Sequence, residues 1–259
     1  MKWLAAAGVF LSAAQAWAQD ETVGVRVREW YARMEGRLEA QGDSIPATNI
    51  DLDSTLGLDD QEIVHEIQGY LSLPVLGRFY AGWWFSSFEG EETLTRSITF
   101  ADRTFTASTT VDSRLDLDVY YLSYELVLPT LPLGDLLSAE VGVLAGLRGL
   151  VAEGEIESAG QRAEESGGFG FPVLGVHGAL RIASWLRADV EIMGLPFKYG
   201  SSSVTYLEAF GEVVAQLGPL FGGVGYKVAS IDLADHRSGT DFDLDIGISG
   251  FFVTAGLRF

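Results

Sequence analysis

The stretch 248-ISGFFVTAGLRF-259 puts Phe251, Val253, Ala255, Leu257 and Phe259 on one parity and Arg258 on the other. A period of two sends successive side chains to opposite faces of a strand. The alternation runs through to an aromatic last residue with no polar tail behind it. One face of this strand is therefore built for an apolar environment, and it supplies a register for sorting the rest of the chain.

The same alternation recurs backwards from there. In 204-VTYLEAFGEVVAQL-217, Leu207, Ala209, Gly211, Val213, Ala215 and Leu217 oppose Tyr206, Glu208, Phe210, Glu212 and Gln216. Gly218-Pro219, a tight-turn signal, joins it to 220-LFGGVGYKVASI-231, where Lys227 opposes Leu220, Val224, Tyr226 and Val228. Segments 185–195, 169–183, 139–151 and 78–88 read alike. In 23-VGVRVREWYARMEGRL-38 the apolar parity switches from Val23, Val25 and Val27 to Trp30, Ala32, Met34 and Leu38, which predicts a β-bulge near Arg28–Glu29. In 115–128, Asp116 and Asp118 share parity with Leu122, Leu126 and Leu128, and are read as lying above an apolar band. Residues 61–73 alone read equally well as helix or strand.

Ten strands result, at about 23–38, 61–73, 77–89, 113–128, 138–152, 169–183, 185–198, 204–217, 219–231 and 245–259. The count admits two either way, because the 199–203 loop is short and the first strand changes phase. Short turns alternate with longer acidic loops at 39–60, 89–112, 153–168 and 232–244.

The totals set outer limits. The 259 residues carry 17 Lys+Arg against 36 Asp+Glu, a formal charge of −19, no Cys and 31 Gly. An acidic balance argues against nucleic acid, whose phosphates need a basic face. Zero Cys removes disulfides, thiolate metal sites and Cys nucleophiles together. Residues 1-MKWLAAAGVFLSAAQAWAQD-20 have one Lys, an apolar run and Ala16-Trp17-Ala18, the parts of a secretory signal peptide cleaved after Ala18. The domains expected are a signal peptide over 1–18 and a β-barrel over 19–259. No later run is long and apolar enough for a membrane helix.

The non-apolar face of these strands carries Gly, Tyr and occasional ions, while the other face stays nearly free of charge. A water-soluble sandwich would show Lys, Glu, Thr and Ser outside; a barrel with lipid outside and a polar interior shows this pattern. Only a closed ring lets β structure cross a bilayer, since lipid satisfies no backbone group. The signal peptide, the alternating strands and the Phe251, Val253, Ala255, Leu257, Phe259 ending resemble the Gram-negative outer-membrane β-barrel proteins. In those proteins such an ending is the insertion signal read by the barrel-assembly machinery. The segment 50-IDLDSTLGLDD-60 is similar to a motif of small uncharacterised members. The resemblance implies an all-β, closed antiparallel transmembrane barrel in the bacterial outer membrane, reached through the periplasm and surrounded by lipid and lipopolysaccharide. The different-class rival is a secreted, lipocalin-like soluble binder.

Parity then sends Arg148, His177, Arg181, Arg187, Asp189, Glu191, Glu208, Glu212, Lys227 and Arg258 into the lumen, with Arg26, Arg78, Glu125 and Glu140. Charges of both signs in a narrow, partly dry space must pair. The expected role is a plugged, structural or surface-interacting barrel without cofactor. The alternatives are a narrow channel for small solutes and, third, an outer-membrane protease or lipid-modifying enzyme. Of three histidines, His65 has lipid-facing parity and His177 lies inward beside Arg181. His236 sits in an acidic loop with Asp232, Asp235 and Asp241, where a His–Asp pair for water activation competes with a plain surface loop. No G-x-S-x-G, H-E-x-x-H or phosphate loop is present. The acidic loops around Asp51–Asp60 and Asp241–Asp245 lack EF-hand spacing, so neither metal nor catalytic residues are assigned.

Overall fold

A computed structural model describes residues 23–41, 49–58, 61–73, 76–134, 137–158, 160–237 and 240–259; for 40–41, 235–237 and 240–242 it describes the backbone alone. The expected signal peptide lies outside the described residues. Ten long strands run β1 (Val23–Gln41), β2 (Gln61–Leu73), β3 (Gly77–Thr93), β4 (Thr110–Val127), β5 (Ser138–Ser158), β6 (Gln161–Ala183), β7 (Leu186–Tyr199), β8 (Ser202–Leu217), β9 (Leu220–Arg237) and β10 (Thr240–Arg258). Each pairs antiparallel with the next, and β10 pairs with β1, giving a closed all-β barrel. Phe259 and Val23 complete the seam through reciprocal backbone hydrogen bonds of 2.9 and 3.1 Å. Among the described residues there is no helix.

Register fixes the shape. Stepping across pairs from Val23 through Leu71, Phe79, Tyr124, Ala145, Leu174, Gly194, Leu207, Ser230 and Gly247 returns to β1 at Glu35. The stagger is therefore twelve residues, from position 23 to position 35 of one strand. Ten strands with that stagger tilt by roughly 40° and enclose a lumen that side chains can fill.

The sheet reverses its polarity along its length. In the half nearer the termini, outward residues such as Val25, Leu122, Val143, Val176, Val190, Val213, Val224 and Val253 are exposed and apolar. The belt covers nine positions from Tyr120 on β4 to Leu128 just past its end, and eleven on β8, from Leu207 to Leu217, the length that a tilted strand needs to cross hydrocarbon. In the half nearer the long loops the order inverts. Trp30, Trp84, Phe88, Leu115, Leu117, Val119, Phe171, Ile231 and Ile246 turn inward into one buried apolar cluster, while Arg33, Glu35, Glu89, Asp112, Glu153 and Asp232 face out.

Two loop segments finish that cluster. Ile50, Leu52, Leu56 and Leu58 are buried, with Ile50–Asp51 paired to Arg37–Leu38 and Leu58 bridged to Gly90. Asp51 accepts hydrogen bonds from the Ser54 backbone N–H and hydroxyl at 2.8 and 2.9 Å, which hold its carboxyl below the ordinary range. The hairpin Ile98–Phe100 and Arg103–Phe105 contributes Ile98, Phe100 and Phe105. The IDLDSTLGL stretch is thus a stopper.

Three sequence expectations change. No bulge exists near Arg28–Glu29: β1 pairs without a shift from Gly24 to Gln41. The parity switch is the polarity reversal itself, with the inward face changing from ionic to apolar. The expected loops at 153–168 and 232–244 are instead mostly strand: β5 runs to Ser158 and β6 starts at Gln161, while β9 runs to Arg237 and β10 starts at Thr240. They look loop-like because polar residues such as Glu153, Glu157, Glu164 and Asp232 face outward beyond the apolar belt. The 89–112 loop is shorter than expected, since β3 extends to Thr93 and β4 begins at Thr110.

The reversal predicts opposite outcomes for neighbours on β4. Leu117→Asp should cost more than about 3 kcal/mol, because it buries a charge in the apolar cluster. Asp116→Leu should change stability by less than about 0.5 kcal/mol. Urea unfolding followed by tryptophan fluorescence separates the two.

Candidate functional site

The lumen of the terminal half collects the ionisable residues from facing strands, because every second position on each strand points inward. Nearest the apolar cluster, Arg28 donates to Glu66 at 3.0 Å and to Glu212 at 3.2 Å, and Arg26 reaches Glu212 at 2.8 Å. Lys227 bridges Glu66 and Glu208, both at 3.1 Å. Arg148 lies 3.8 Å from Glu208 and donates to the Ser123 hydroxyl at 3.0 Å. Tyr121 donates to Glu66 at 2.6 Å and Tyr206 donates to Glu208. Aromatic faces complete the shell: Arg28 stacks over Phe210 and Phe252, and Lys227 lies 5.1 Å from the Trp30 ring.

Two glycines make room for this. A Cβ on Gly82 would fall 2.3 Å from the Tyr121 ring, and one on Gly225 would fall 2.3 Å from the Phe252 ring. Their bare backbones let those rings lie flat across the neighbouring strand, Tyr121 toward Glu66 and Phe252 beneath Arg28.

A second cluster sits nearer the termini. Arg78 forks onto Glu140 at 2.6 and 3.0 Å and approaches Glu125 at 3.5 Å. His177 spans Glu125 at 2.8 Å and Asp189 at 3.1 Å, and Arg187 closes on Asp189 at 2.6 Å. Both ring nitrogens of His177 are taken, so its geometry is that of a strut and not of a free base. Glu125, Glu140 and His177 offer metal-ligand atoms within 4.8 Å of one another. Arg78 donates to Glu140, pairs with Glu125 and supplies positive charge to both carboxylates.

The expected lumen residues therefore fall into distinct places. Arg148, Glu208, Glu212 and Lys227 share the inner cluster, while His177, Arg187 and Asp189 share the outer one. Glu191 lies between them and makes no hydrogen bond or ion pair among the described residues. It borders a cavity of about 90 Å³ lined also by Arg26, Tyr70, Tyr80 and Phe221. Arg181 and Arg258 line a cavity of about 320 Å³ at the terminal end with Arg187 and Gln216, and Arg258 also stacks over Phe221. Phe251, Val253, Leu257 and Phe259 are exposed on the outer face, and Ala255 shares it.

Sequence reasoning missed Arg28 and Glu66, two buried members of the inner cluster. The supposed bulge removed Arg28 from the inward parity, and the ambiguous 61–73 segment hid Glu66. Unbroken alternation from Arg26 through Arg28 to Trp30 was the available signal. His65 faces outward against Glu29 at 2.7 Å. The side chain of His236 lies outside the described residues, as do those of Asp235 and Asp241.

No family model and no curated protein matches the chain. Solved structures with related architecture include the outer membrane protease OmpT from Escherichia coli, at 10% identity and TM-score 0.46 over 91% of this chain and 97% of that one. The Pseudomonas putida toluene transporter TodX follows at 11% identity and TM-score 0.31 over 95% and 92%. A Pseudomonas aeruginosa FadL homologue gives 11% and 0.28 over 94% and 91%. These values assign no activity.

Arg28→Ala should destabilise the barrel by about 3–5 kcal/mol, since Glu66 and Glu212 stay buried with fewer partners. Combining it with Glu66→Gln should cost less than the sum by about 0.5–3 kcal/mol. Equilibrium urea unfolding of the two single variants and the double variant reads both numbers.

Proposed function

We propose that this chain is an integral protein of the bacterial outer membrane with a closed lumen, serving a structural or surface-interacting role and not solute passage. The observation that carries the reading is two seals in series. The buried apolar cluster fills the loop half and is capped by Ile50, Leu52, Leu56 and Leu58. Below it, Arg28, Glu66, Glu208, Glu212 and Lys227 cross the lumen as a paired layer. A solute would have to displace hydrocarbon packing and then separate buried ions, each at a cost of several kcal/mol.

The exposed apolar belt supports burial of the terminal half in lipid, with the termini toward the periplasm. The charged outer face of the loop half then stands in water beside lipopolysaccharide. Outward Glu89, Asp112, Asp116, Glu153 and Glu155 outnumber the nearby Arg114 and Arg162. An acidic collar of this kind suits cationic partners. The last strand is the segment that the barrel-assembly machinery would engage.

Planar-bilayer recording tests the closed lumen. The purified protein should give flat traces at several voltages, and discrete conductance steps would favour the channel. Folded and boiled samples from outer-membrane fractions should migrate apart on gels. One mobility, with the protein soluble in the periplasm, would reject the membrane assignment.

A further inference from the structure

One ionisable pair has no place in the terminal half of the sheet, where charge is otherwise sorted inward. Glu29 on β1 and His65 on β2 are direct register partners, and both face out through the apolar belt. Their side chains are 43% and 45% exposed, and His65 Nδ1 meets Glu29 Oε2 at 2.7 Å. All the outward neighbours are apolar. Val27 and Tyr31 flank Glu29 along β1, and Ile67 and Ile63 flank His65 along β2. Val253 pairs with Glu29 on one side, and Phe85 pairs with His65 on the other. Tyr31 and Ile63 lie on the loop side, so the pair sits one step inside the belt and not at its edge.

Lipid chains cannot complete this pair. Glu29 Oε1 and His65 Nε2 make no hydrogen bond among the described residues, and hydrocarbon offers neither donor nor acceptor. Ionisable groups at such depth almost always face protein or a water-filled cavity. The question is which protein surface presents the complement.

We propose that this face, resting on the membrane assignment above, binds a second copy of the same chain. The pair is self-complementary. Two copies inserted with the same orientation are related by a two-fold axis along the membrane normal. An axis passing between β1 and β2 sets Glu29 of one copy opposite His65 of the partner subunit, and the reverse. Each unused Nε2 then meets an unused Oε1, closing a ring of four side chains with each of those atoms paired. The flanks match in the same way. Trp83 stacks on Phe85 and Tyr120 on the β3–β4 side, and Tyr226 packs on Phe251 on the β9–β10 side. The two-fold sets one aromatic flank against the other, and aromatic residues are the kind that anchor interfaces.

The chain has no Cys, so single introduced thiols report on proximity. Ile67→Cys lies beside the axis; Val176→Cys, outward on β6, lies on another side of the barrel. In phosphatidylethanolamine–phosphatidylglycerol vesicles, a short bis-maleimide should link Ile67→Cys into dimers and leave Val176→Cys monomeric. Adding Glu29→Leu and His65→Leu to Ile67→Cys should lower the dimer yield by about tenfold or more, while the heat-modifiable band shows that the barrel still folds. Equal linking at both positions, no linking at Ile67→Cys, or linking that survives the leucine pair would overturn the proposal. So would a monomer that keeps a stoichiometric bound lipid at this face. Loss of the heat shift in the unsubstituted protein would instead reject the membrane assignment first, so the two failures are distinguishable.

Discussion

Because β10 closes onto β1 with a stagger of twelve residues, every side chain on the ten strands has only two destinations, outside the ring or inside it. The ring is narrow enough that inward side chains meet across it. Whatever the outer face presents at a given height, the inner face must fill the lumen with the complementary set. In the terminal half the apolar residues are spent outside, so the lumen is packed with ions. In the loop half the apolar residues turn inward and the ions go out. The two changes occur together because a strand has a single parity to reverse.

Filling a lumen with charge is not a route to great stability. Buried ion pairs often contribute less than hydrocarbon of the same volume, and they become costly when one partner is missing. What they do is specify. Arg28 fits only where Glu66, Glu212 and two aromatic faces converge, and those groups come from β2, β8 and β10. A slip of one residue between strands would send each of them to the outer face. The network thus acts on register, and register sets the stagger and the radius.

Much of this was legible in the sequence, for a physical reason. The terminal alternation of Phe251 to Phe259 fixed one register, and period two carried it from strand to strand, because turns such as Gly218-Pro219 are short. The lumen placement of Lys227, Glu208 and Glu212 followed from their own strands. What could not be read is anything that depends on two strands at once. Glycines on the inward face looked like mere small residues, whereas Gly82 and Gly225 are the floors on which Tyr121 and Phe252 lie. The parity switch at Arg28 was visible, but a bulge and a reversal of polarity predict the same pattern within one strand. Only the unbroken pairing with β2 and β10 separates them. The stopper was missed although Ile50, Leu52, Leu56 and Leu58 share one parity, because two short apolar pairs set among Asp, Ser, Thr and Gly read as an acidic loop.

The junction of the two halves shows how the fold joins an ionic lumen to an apolar one. Trp30 and Trp84 meet edge to face with centroids 6.3 Å apart, both fully buried. Their indole nitrogens find no hydrogen-bond partner among the described residues, which is costly for a buried donor. A leucine pair would avoid that cost. It would also leave the Lys227 ammonium against plain hydrocarbon, whereas the indole faces at 5.1 and 5.9 Å offer it electron density on the side away from its carboxylates. That attraction grows as water is excluded. The tryptophans are thus apolar toward the cluster and polarisable toward the ions, and an interface between the halves needs residues with both properties at the same height.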